Sequence, residues 1–193
     1  LGRDAHLRAT TVLMDAYALF KEGRYADAAR LCAVPTFEPS EQGYYQKDYL
    51  LALCLKHTGD LQGYLNAMKT AFARGSTLFW DTWKGMKDQY LKDLKESLPL
   101  ATHPLMRARM CRLIGEHTSC GAPYRYEAAR IYEAHGRRTL AARLFERCTD
   151  YDHYDEDALG RLEVASMKVH ACRAVLDHLL RRGKKRKAFR VYV

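Results

Sequence analysis

A frame of small and large residues around one glycine recurs three times in this chain of 193 residues, and it leaves few folds open. In the first copy Ala16 stands seven residues before Gly23, and Tyr25, Ala28 and Cys32 stand two, five and nine residues after it. The second copy reads Ala52, Gly59, Leu61, Tyr64 and Met68; the third reads Ala129, Gly136, Arg138, Ala141 and Phe145. Glycine enters the left-handed backbone region without steric penalty, so it suits a chain reversal after a helix. Small residues suit the places where two helices approach closely, and larger ones fill the gap between neighbouring hairpins. Each copy therefore predicts a helix, a tight turn and a second helix, with Arg138 the departure from the pattern.

Apolar periodicity extends this reading along the chain. Leu7, Val12, Leu13, Ala16, Leu19 and Phe20 recur at a period near 3.6, the stripe of a half-buried helix. Pro35 ends the return helix, and Thr36–Gly43 reads as a linker. The organisation predicted is a helical-repeat domain over residues 1–183, with hairpins at about 9–35, 44–75 and 124–148. A degenerate hairpin is placed at 77–117, a terminal helix at 155–182 and a basic tail at 184–193. Trp80, Trp83, Met86, Tyr90, Leu94 and Leu98 form a stripe predicted to pack in the interior. Met106, Met110, Leu113 and Ile114 predict a short helix running out at Gly115–Gly121, and Gly160 a bend in the terminal helix.

The frame resembles the tetratricopeptide repeat. Ala16, Gly23, Tyr25 and Ala28 match in one hairpin, Ala52, Gly59 and Leu61 in the next, and Ala129, Tyr132, Gly136, Ala141 and Phe145 in the third. The spacing of 36 residues between Gly23 and Gly59 is close to the family period of about 34. The resemblance implies an all-α solenoid of antiparallel helix hairpins, a right-handed superhelix of about eight or nine helices. It also implies a concave groove lined by the first helix of each hairpin. Leu13, Tyr17, Phe20, Lys21, Tyr49, Leu53, Lys56, His57, Tyr126 and Arg130 are the residues it would place there, with Glu133 beside them. Rings supply contact area at low entropic cost and lysines can take a carboxylate, so the expected ligand is a peptide or a partner helix. Members that clamp an acidic chaperone C-terminus carry Lys and Asn at places held here by Leu13, Tyr17, Tyr49 and Leu53, which disfavours that subtype.

Chemistry is sparse beside this. There is no Gly-rich phosphate loop, GxSxG or HExxH, and neither His57 with Asp60 nor His178 with Asp177 has a third orienting group nearby in sequence. The chain reads as non-enzymatic, with no cofactor and no metal site. Asp150–Gly160 is acidic but puts Tyr154 and Asp155 where a calcium loop needs a ligand and a glycine. Cys111, His117 and Cys120 lack an evident fourth zinc ligand and contain no CxxC, so the six cysteines are expected to be reduced, with Cys111 and Cys120 the pair to test.

The formal net charge is +9, but Arg181, Arg182, Lys184, Lys185, Arg186, Lys187 and Arg190 contribute seven of those charges and leave +2 for the rest. The basic run reads as a solvated helix end, a contact for nucleic acid or an anionic surface, or a joint to further sequence, with the last apolar residues able to pair as a strand or dock on an apolar face. The leading expectation is a scaffold that binds a protein or peptide. The alternatives are an RNA-binding repeat protein that uses Arg130, Arg137, Arg138 and the basic tail, and a homo-oligomer in which exposed end hairpins stack between copies because no plainly polar helix caps the array. No apolar run approaches the roughly 20 residues of a membrane span. The reading leans to a cytoplasmic protein, while Leu at position 1 leaves an exported or lipid-anchored form open.

Overall fold

In the computed structural model, residues 2–33, 44–75, 80–149 and 161–192 are described. Among them are ten α-helices and no strand. In order they are α1 (Gly2–Lys21), α2 (Tyr25–Ala33), α3 (Tyr44–His57), α4 (Leu61–Gly75), α5 (Trp80–Ser97), α6 (Pro104–His117), α7 (Ala122–Ala134), α8 (Arg138–Glu146), α9 (Arg161–Arg181) and α10 (Lys185–Tyr192), with a 3-10 turn at Leu98–Leu100. The chain divides into two compact units, Leu1–Lys92 (the N-unit) and Asp93–Val193 (the C-unit). Within the described residues no helix is long and apolar enough to cross a membrane.

The three expected turns share one geometry. Gly23, Gly59 and Gly136 have φ of 76°, 82° and 72°. In each, the glycine N–H donates to the carbonyl three residues back, and the next N–H donates to the carbonyl five residues back, at 2.8–3.2 Å. This is a left-handed C-terminal cap, which a β-carbon would strain. The frame residues do what their sizes suggest: Ala16, Ala28, Ala52, Ala129 and Ala141 are buried, as are Cys32, Tyr64, Met68 and Phe145. The chain is built of TPR-like helix hairpins.

A fourth copy lies where a tail or short strand was expected. Gly183, at φ 69°, closes α9 with the same pair of bonds, Gly183 N–H to Leu180 and Lys184 N–H to Leu179, both 2.9 Å. Ala188, five residues on as in the other copies, is buried, and Lys187 reaches Glu146 at 2.9 Å. The basic residues are therefore the solvent face of a helix packed on α9. A polar helix thus follows α9, a feature the self-association alternative took to be missing.

Helix α6 runs out where expected, between Gly115 and Gly121. Helix α6 continues through Gly115 to His117, and α7 starts at Ala122. A β-carbon on Gly121 would stand 2.2 Å from the Gly115 carbonyl oxygen, and one on Gly115 would stand 2.7 Å from Arg125 Cγ. These glycines also permit contact between the ends of α6 and α7. In α5, Tyr90 and Leu94 are buried, while the Trp80 and Trp83 side chains lie outside the described residues. Residues 34–43 and 150–160 do too, and with them the linker, the acidic loop and Gly160.

Candidate functional site

Helices α1 and α3 of the N-unit carry apolar residues on matching faces. Positions 13, 14, 17 and 18 of α1, and 46, 49, 50 and 53 of α3, each fall on one side of a helix. Between them lies an open cavity of about 420 Å³. Leu13, Tyr17, Tyr49 and Leu53 line it, joined by Met14, Ala18, Gln46 and Leu50. Met14 is 67% exposed and Tyr17 53%, unusual for large apolar side chains, and both face this space. Tyr49 is held from behind: its ring stacks on Tyr90 at 4.2 Å, and Tyr90 meets the Phe72 ring edge-on at 5.7 Å. Lys21 puts its ammonium 5.2 Å from the Tyr17 ring centroid.

The remaining predicted groove residues do not line this cavity. Phe20 and His57 pack with Tyr25 at the turn ends, where Tyr25 and His57 stack at 4.2 Å and Phe20 lies edge-on to both at 5.3 and 5.6 Å. Lys56 is half-buried on α3. Tyr126 and Arg130 belong to the C-unit. The Tyr126 ring contacts Phe145 and His170 edge-on at 5.7 and 5.6 Å, and its hydroxyl shares a hydrogen bond of 3.1 Å with His170 Nδ1, the donor set by the imidazole tautomer. Burial raises the Tyr126 pKa. Arg130 and Glu133 are exposed.

Glu133 instead joins a C-unit cavity of about 220 Å³ that the sequence reading missed. Arg138, Asp177, His178 and Arg181 share its walls, and Ala141, Phe145 and Ala174 form its apolar part. Burial, then Arg182, Lys184 and Arg181, hold the His178 pKa below its usual value. The available signal was register: Arg138 and Arg181 each lie two residues from a turn glycine, Gly136 or Gly183.

All six cysteines are free thiols. Burial is the main cause that pushes Cys32 and Cys111 up to about 12 and Cys54 to about 11, which suppresses thiolate chemistry. Among the described residues no three His, Cys, Asp or Glu side chains come together as metal ligands, so Cys111, His117 and Cys120 do not form such a set.

No family model and no curated protein sequence matches this chain. Among solved structures it is similar to a Podosopora anserina protein described as a kinesin light chain with nearly identical TPR-like repeats, at 14% identity and a TM-score of 0.36, over 96% of this chain and 92% of that one. A point variant of the same protein gives the same identity and score over 91% of its length. The fold assignment stands on the hairpin geometry.

Proposed function

We propose that this TPR-like helical-repeat protein is an interaction module whose N-unit cavity receives the apolar face of a helix from a protein partner. The observation that carries the reading is the exposure of Met14 and Tyr17 on a cavity whose far wall, Tyr49, is fixed by stacking on Tyr90. A rigid wall opposite exposed apolar side chains offers a preorganised seat, which lowers the ordering cost of binding. Anchor residues on a partner helix at i, i+4 spacing suit the two helical faces. Lys21, at the Tyr17 end, supplies a cation for an acidic residue flanking those anchors.

The test is affinity capture with the full chain, wild type against Met14→Ala plus Tyr17→Ala, followed by titration with the purified captured partner. Both side chains are exposed, so folding is expected to be unchanged by circular dichroism. Affinity is expected to fall about 30-fold or more, the effect of removing a hot-spot anchor worth at least about 2 kcal/mol. A purified partner that binds the double variant as tightly as wild type sinks the proposal. Tyr49→Ala is a poorer probe, because it would also remove support from Tyr90.

A further inference from the structure

The two units differ in charge as well as in surface. Residues 1–92 carry 12 Lys and Arg against 10 Asp and Glu, while residues 93–193 carry 20 against 13, and 15 of those 20 are Arg. The excess is not spread evenly over the C-unit. The turn at Gly136 is followed by Arg137 and Arg138, and the turn at Gly183 is flanked by Arg181, Arg182 and Lys184, all exposed. Because the two turns have the same backbone geometry, Arg137 and Lys184 occupy the same place, one residue past the glycine, on their two hairpins. Arg138 and Arg181 line one cavity, which shows that the two turns form a common edge. Among the described residues none of these five cations is in an ion pair.

We propose that this turn edge of the C-unit is a binding surface for single-stranded RNA, gripped through its phosphate backbone. A row of guanidinium groups is suited to phosphates, because its planar fork donates two parallel hydrogen bonds and keeps its charge at any working pH. Arg138 and Arg181 border a concavity of about 220 Å³, which suits a nucleotide chain entering it better than a flat bilayer surface. Glu133 and Asp177 in the same cavity disfavour a ligand made only of phosphate. They are acceptors for the 2′-hydroxyl and base N–H donors that RNA brings with its phosphates. This surface shares no residue with the N-unit cavity, and its test is independent of that reading.

The experiment is fluorescence anisotropy of the full chain with a labelled mixed-sequence RNA of about 20 nucleotides at about 50 mM salt, a regime in which phosphate contacts are weakly screened. The same sequence as DNA, and vesicles containing phosphatidylserine, are run beside it. Two variants probe the edge, Arg138→Gln plus Arg181→Gln and Arg182→Gln plus Lys184→Gln. The second pair is exposed beside a turn, so it leaves folding intact even if the first does not. Arg24→Gln plus Arg30→Gln in the N-unit is the control. RNA is expected to bind more tightly than DNA, and each edge variant to lose about tenfold in affinity while the slope of log affinity against log salt becomes shallower by about 1.4, the contribution of two single-strand phosphates. The control is expected to match wild type. No RNA binding at this salt, equal binding of DNA, an edge variant indistinguishable from the control, or binding to vesicles without binding to RNA would each overturn the proposal.

Discussion

The N-unit and the C-unit use the same glycine turn and put different chemistry on it. In the N-unit, Glu22 and Arg24 flank Gly23 at 3.6 Å from each other, and Arg24 also pairs with Asp27, so the turn is electrostatically closed. In the C-unit the corresponding positions around Gly183 are Arg182 and Lys184, with no acid between them. The larger cavity in the N-unit lies between α1 and α3 and is walled almost entirely by apolar groups; the C-unit cavity is ringed by charge. Backbone geometry thus fixes the architecture, and the exposed positions decide what each half can meet.

That contrast predicts separable stabilities. Phe72 and Phe145 are fully buried in their respective units. Replacing either with Ala is expected to cost about 3–5 kcal/mol, transfer and cavity combined. Amide hydrogen exchange should show the loss confined to α3–α4 for Phe72→Ala and to α7–α9 for Phe145→Ala; equal loss in both units for either variant would show that they unfold as one.

Glycines sharpen the comparison next. Gly121→Ala is expected to destabilise the C-unit by about 1–3 kcal/mol, because the new methyl meets a backbone carbonyl that side-chain motion cannot clear. Gly85→Ala, mid-helix in α5 with open space around it, is expected to stabilise by about 0.5–1 kcal/mol through helix propensity. Thermal melts of the two variants that move in the same direction would refute this assignment.

The smallest effect concerns pH. His178 has its folded pKa below the ordinary 6.5, so the unfolded chain takes up a proton first as pH falls. Stability of the C-unit is then unaffected by this group above pH 6.5 and is lost as pH drops through 6.5 toward the lowered value. Denaturant titration of His178→Gln should show a flatter acid limb than wild type, with no change at neutral pH; a parallel acid limb would show that another group is responsible.

Much of the fold could be read from residue spacing alone, since a turn glycine with an alanine seven residues before it is a local code in the three copies that were read. The fourth hairpin escaped because its code rests on Gly183 and Ala188 among seven cations, and hydrophobic periodicity weakens when so few apolar residues carry it. Gly115 and Gly121 marked where α6 runs out, but not their second role: a glycine required for close approach looks the same in sequence as one near a helix end. At the candidate site, the i, i+4 spacing was enough to bring Leu13, Tyr17, Tyr49 and Leu53 to one cavity. It could not tell that Phe20 and His57, in the last turns of α1 and α3, would pack with Tyr25. Tyr126 depends on His170, 44 residues away, a partner that no local pattern discloses.

The four turns also bear on how such a chain changes over time. Each is held by main-chain hydrogen bonds and one glycine, and the residues on either side are exposed. At Gly59 and Gly136 the neighbours add bonds to the helix ends: Thr58 Oγ1 donates to the Leu55 carbonyl at 3.1 Å, the Asp60 carboxylate accepts from the Gly63 N–H at 2.8 Å, and His135 Nδ1 lies 2.8 Å from the Ile131 carbonyl. At Gly23 the neighbouring side chains pair only with other exposed or half-exposed side chains, so that edge can be rewritten one residue at a time without renegotiating the scaffold. An Arg-Gly-Lys triplet grafted at Gly23 would carry its charge to a new address and leave the helices where they are.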